Sequence, residues 1–130
     1  MTVKVYSFSI LKGLPEFDPE EGLVYLIDCR GLPDPADFPE YAGTTGLDAR
    51  MEKFFTGRKD WLEKLCKLLD PTVDLLRQAM TADDVISIYF GCHGGHHRSV
   101  YCAHRLAEFV KRARKDVTVI ELHLVLEAES

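Results

Sequence analysis

The chain has 130 residues, near the commonest size of one domain, large enough to bury one core and too short to divide comfortably into two. Its 46% apolar and 28% charged residues are those of an ordinary globular protein and exclude disordered, collagen-like and disulfide-scaffold classes. The formal charge of −5 argues against broad nucleic-acid binding, which needs lysine and arginine to displace counterions from phosphates.

In chain order, Val3 to Ile10 alternates apolar and polar residues and reads as a strand, and the continuous apolar run Leu23 to Ile27 reads as a second strand buried on both faces. Gly13, Pro15, Pro19 and Gly22 punctuate the connection between them. The stretch Asp28 to Gly46 carries Pro33, Pro35 and Pro39 without a sustained period, and so long a loop in a compact domain is more often functional than idle. Asp48 is placed to cap a short helix with Met51, Phe54 and Phe55 on one face and Gly57 at its end. Asp60 and Glu63 have capping-box spacing, and Trp61, Leu62, Leu65, Leu68 and Leu69 form an apolar stripe behind them. Asp70-Pro71 then restarts or kinks that helix, which continues through Val73, Leu76 and Met80 to a break at Thr81-Ala82-Asp83.

Val85 to Phe90 (VISIYF) is the strongest strand signal, and Ser99 to Arg114 reads as a helix with Ala103, Leu106, Phe109, Val110 and Ala113 inward and a Glu108–Arg112 pair outward. Val117 to Leu126 reads as a closing strand with Val117, Val119, Glu121 and His123 on one side. Strands alternating with helices predict an α/β fold: one three-layer domain over residues 1–130, with a small, mostly parallel four-stranded sheet and helices on both faces.

No apolar run approaches the ~20 residues that cross a bilayer, and the start MTVKVYSFSI lacks a secretory pattern, so a cytoplasmic location is expected. The four cysteines (Cys29, Cys66, Cys92 and Cys102) are irregularly spaced and expected to be reduced, with Cys66 and Cys102 on apolar helix faces as core filler. Charge is unevenly distributed. Leu14 to Asp48 holds nine acids (Glu16, Asp18, Glu20, Glu21, Asp28, Asp34, Asp37, Glu40 and Asp48) against one base, Arg30. The balance inverts from Arg98 to Lys115, where Arg98, Arg105, Lys111, Arg112, Arg114 and Lys115 face only Glu108.

The chemistry concentrates in Gly91-Cys92-His93-Gly94-Gly95-His96-His97-Arg98-Ser99, between a buried strand and a helix, where open α/β sheets bind ligands. Gly94 and Gly95 permit a nest of backbone N–H groups, and the helix start adds its positive dipole end. Such a site wants an anion, on which Arg98 can close its planar fork while Ser99 donates a further hydrogen bond. Two sharper readings compete. Cys92, Gly95, Arg98 and Ser99 fit the C-x-x-G-x-x-R-S signature of cysteine-dependent phosphatases, with Cys92 as nucleophile, Arg98 as clamp and Asp28, Asp34 or Asp48 as general acid. Cys92, His93, His96, His97 and His123 alternatively suggest zinc, although no CxxC or HExxH accompanies them. On the leading reading there is neither cofactor nor metal.

At this loop Gly91, Cys92, Gly94, Gly95, His97, Arg98, Ser99 and Val100 match the G-C-x-G-G-x-H-R-S-V stretch of a known family, and further motifs match in order: Ser7, Phe8, Gly13 and Pro15; Asp28, Arg30, Leu32, Pro33 and Pro35; Thr45, Gly46, Leu47 and Asp48. The chain resembles the RapZ C-terminal domain family over nearly its whole length. The resemblance implies a domain that senses glucosamine-6-phosphate, binds small regulatory RNA and self-associates into a homo-oligomer. It also implies that Cys92, Gly94, Gly95, His97, Arg98 and Ser99 grip the phosphate while Asp28, Arg30, Thr45 and Gly46 face the rest of the ligand or wall the pocket. The chain departs from the family in three ways. It contains no Walker loop, so nucleotide hydrolysis does not transfer; Glu127-Ala128-Glu129-Ser130 replaces a basic tail, leaving Lys111, Arg112, Arg114 and Lys115 as the RNA-facing cluster; and His93 and His96 occupy variable loop positions.

Overall fold

β-branched and aromatic side chains pack well on a pleated surface, and the run VISIYF sits at the centre of the structure as strand β3, Val85–Cys92. The computed structural model describes residues 1–17, 22–78 and 84–130; Asp18, Pro19, Glu20, Glu21, Met80 and the expected break at Thr81-Ala82-Asp83 lie outside the described residues. Strands β1 (Thr2–Ser9), β2 (Leu23–Asp28) and β4 (Thr118–His123) join β3 in a four-stranded sheet of order β2-β3-β1-β4, with every pairing parallel. This is the small α/β sheet that the alternation of strands and helices predicts.

The pleat sorts the side chains into two layers of unequal thickness. Val3, Val5, Ile86, Ile88 and Phe90 enter the large core, with buried residues from α1 (Met51–Thr56), α2 (Lys59–Arg77) and α3 (Arg98–Ala113). Tyr6, Phe8 and Tyr89 form a smaller cluster on the opposite face, joined by Ile10, Phe17 and Leu124, the last from the short helix α4 (Leu124–Glu129). Tyr6 and Tyr89 stack there at 4.2 Å.

Several local expectations are revised. β2 is an edge strand, so Leu23 and Leu26 are about half exposed, at 53% and 48%, where burial on both faces is predicted. The closing strand stops at His123, and Leu124–Glu129 turns into α4, whose leucine, glutamate and alanine favour helix and whose Val125 is buried against the loop after β3. Neither predicted side-chain cap forms: the Asp48 carboxylate accepts from the Arg50 amide and guanidinium, and Asp60 pairs with Arg58. α2 runs through Pro71, and the neighbouring Thr72 hydroxyl donates to the Leu69 carbonyl. On α3, Phe109 is 44% exposed and Glu108 pairs with Lys111. Cys102 is fully buried core filler as predicted, whereas Cys66 is half-buried. No helix among the described residues is long and apolar enough to cross a membrane.

Candidate functional site

Parallel strands deliver their carboxyl ends to one edge of the sheet, and here that edge collects the loops after β1, β2 and β3. The loop from β3 to α3 carries the candidate residues. Gly95 takes φ +75°, a left-handed conformation, and a Cβ there would lie 2.5 Å from the Val125 side chain and 3.0 Å from the Ser9 amide nitrogen. Gly46 is required for close approach: its Cβ would meet the His97 carbonyl at 2.4 Å and the Tyr101 nitrogen at 2.5 Å. Its own amide donates to the His96 carbonyl at 2.7 Å, so Thr45-Gly46 lies directly against the loop.

α3 begins at Arg98, which leaves the first amides of the helix without intrahelical acceptors. Among the described residues, the amides of Gly94, Gly95, His96, His97, Arg98, Ser99 and Val100 donate to no backbone carbonyl. These are the N–H groups that the glycine pattern predicts for an anion, at the positive end of a helix of 16 residues.

Arg98 has a different position from the predicted one. Its side chain is buried, and Nη1 donates to the Arg30 carbonyl at 2.8 Å and more weakly to the Leu32 carbonyl at 3.4 Å, while Nη2 pairs with the Asp34 carboxylate at 3.2 Å. The guanidinium therefore braces the 30–34 loop against the helix start, and its fork is largely occupied by protein acceptors. Arg30, by contrast, has an exposed guanidinium bidentate to Asp28, which holds the Asp28 carboxyl below its usual range. One brace and one exposed cation thus share the edge. His97 is half-buried, and its Nε2 contacts the Thr44 hydroxyl at 3.1 Å. Burial pushes its pKa below the ordinary 6.5, against the opposing pull of Asp34.

The Cys92 thiol is buried and shares a hydrogen bond with Ser99 Oγ at 3.1 Å. Of the groups named as clamp and general acid, Arg98 and Asp34 are engaged on each other. The predicted histidines also separate: His96 reaches Glu129 at 2.9 Å, His97 reaches Thr44, and His123 sits between Ser7 and Glu121. In the proposed RNA cluster, Lys111 is paired with Glu108 and Arg114 with Asp116. Sequence reasoning missed His104, whose Nδ1 meets Glu121 at 2.8 Å; its one-turn spacing from Glu108 on α3 was the available signal.

The fold and this edge define a small parallel α/β domain with a glycine-rich strand-to-helix loop. The profile of the RapZ C-terminal domain matches residues 1–125, and the chain belongs to that family. A nucleotide-binding protein of Thermotoga sp. (strain RQ2) is 33% identical over 129 residues, covering 97% of this chain and 43% of that protein. A nucleotide-binding protein of Thermotoga petrophila is 34% identical over 129 residues with the same coverage, and one of Pseudomonas fluorescens strain Pf-5 is 34% identical over 116 residues, covering 88% of this chain and 39% of that protein. The chain spans less than half the length of these relatives.

Two measurements check this geometry. Arg98→Ala leaves the partly exposed Asp34 carboxylate and two carbonyls without their cation and is expected to cost about 2–3 kcal/mol in urea unfolding, whereas the exposed Arg30→Ala stays within about 0.5 kcal/mol. Because the fold disfavours protonated His97, the unfolded chain binds that proton more readily, and stability falls as pH drops through about 6.5. In His97→Gln the loss of stability between about pH 7.5 and 5.5 is expected to be smaller than in the wild type.

Proposed function

We propose that this chain is a regulatory, non-catalytic module of the cytoplasm that captures a phosphorylated small molecule at the 91–99 loop. The observation that carries this reading is the row of amides from Gly94 to Val100 that donate to no backbone carbonyl among the described residues, at the start of α3. A phosphate offers several acceptor oxygens and the negative charge that such a row attracts. The Arg30 guanidinium and Asp28 carboxylate stand on the exposed rim as the polar groups for the rest of the ligand, with Thr45 and Gly46 as the adjoining wall. Arg98 contributes by setting the loop and by its positive charge, and Cys92 and Ser99 by filling the space behind it.

The paired Asp28 and Arg30 suit a ligand bearing both a cationic and an anionic or hydroxyl group, which an amino-sugar phosphate supplies. Glucosamine-6-phosphate is the ligand that the motif resemblance implies. The relatives' name, nucleotide-binding, points to the same phosphate chemistry, so nucleotides form the second arm of the test.

Calorimetry on the whole chain with glucosamine-6-phosphate, glucosamine, AMP, ATP and a short RNA hairpin tests this reading. It predicts saturable binding of a phosphorylated small molecule, no binding of glucosamine, and weakening of about tenfold or more in Arg30→Ala. Failure of every phosphorylated small molecule to bind, or equal binding of glucosamine, would overturn it.

A further inference from the structure

A second polar constellation lies outside the loop. His104 and Glu108 sit one turn apart on α3, beside Glu121 of the neighbouring strand β4, and one ligand atom from each falls within 4.8 Å of the other two. His104 Nδ1 is already 2.8 Å from Glu121 Oε2. Glu121 is held from behind: the same oxygen is 2.6 Å from His123 Nε2, and His123 Nδ1 is 2.7 Å from the hydroxyl of the fully buried Ser7. A carboxylate whose orientation is set by an inner hydrogen-bond chain, with a partly exposed imidazole and a second carboxylate in front of it, is how proteins prepare a metal ligand set.

The surroundings point the same way. The His104 side chain is 42% exposed, so an ion held by it would keep coordination positions open to solvent. The neighbouring Arg105 is engaged by Glu52 and the Tyr101 hydroxyl, Lys111 is 3.5 Å from Glu108, and Arg112 stands one turn further along α3.

We propose that His104, Glu108 and Glu121 form a binding site for a divalent metal ion of the zinc class, completed by water. One imidazole nitrogen with two carboxylate oxygens suits zinc or its first-row neighbours, whereas magnesium and calcium prefer oxygen alone. Ligand atoms around tetrahedral zinc stand roughly 3.3 Å apart at its usual bond lengths. The His104–Glu121 pair needs little adjustment to reach that spacing, and the partly exposed Glu108 side chain is free to swing inward. This site is independent of phosphate capture at the loop.

The test titrates the whole chain with Zn²⁺ by calorimetry and with Co²⁺ by visible absorption. Expected are one ion per chain, a Co²⁺ d–d band, and affinity reduced at least about tenfold in each of His104→Ala, Glu108→Gln and Glu121→Gln, the scale at which even outer partners of a metal register. His104 and Glu108 are partly exposed, so those variants keep the fold, as circular dichroism will show. His96→Ala, which alters an exposed histidine elsewhere, should bind as the wild type does. Absence of one-to-one binding, or binding that survives in His104→Ala and Glu108→Gln, would overturn the proposal.

Discussion

The buried guanidinium of Arg98 joins two pieces of chain that are far apart in sequence. It belongs to the first turn of α3, donates to the Arg30 and Leu32 carbonyls, and neutralises Asp34. A cation at 8% exposure tolerates that burial because several acceptors surround it, and the same contacts carry the 28–34 loop to the β3–α3 loop. Gly46, seated on the His96 and His97 carbonyl region, closes the arrangement from the other side. The amide row of the loop keeps its place because these two anchors leave the backbone little room to rearrange.

The arrangement separates the cation that builds the edge from the cation that can meet a ligand. Arg30 supplies its carbonyl to the brace and its guanidinium to the solvent side, where only Asp28 restrains it. An exposed ion pair of this kind contributes little to stability. The thiol of Cys92 and the hydroxyl of Ser99 form a buried hydrogen-bonded pair within the same loop.

Elements whose pattern and burial coincide were legible in the sequence. VISIYF, the α2 stripe and the glycine-rich loop between strand and helix appear where periodicity and turn chemistry put them. What escaped depends on tertiary context. Strand order makes β2 an edge and exposes Leu23 and Leu26; Leu124–Glu129 leaves the sheet as a short helix whose Val125 lies over Gly95; and Arg98 is captured by carbonyls that no local pattern reveals. The pairing of His104 with Glu121 escaped for a similar reason, since Glu121 comes from a strand that only the fold brings alongside α3.

The central claim is that the amides of Gly94 to Val100 hold an anion, and a ¹H–¹⁵N correlation spectrum recorded during titration with glucosamine-6-phosphate, beside inorganic phosphate, addresses it most directly. The account predicts saturable downfield shifts concentrated in the amides of residues 94–100, with smaller changes at Arg30 and Gly46. Shifts confined to other surfaces, or none at millimolar phosphate, would contradict it.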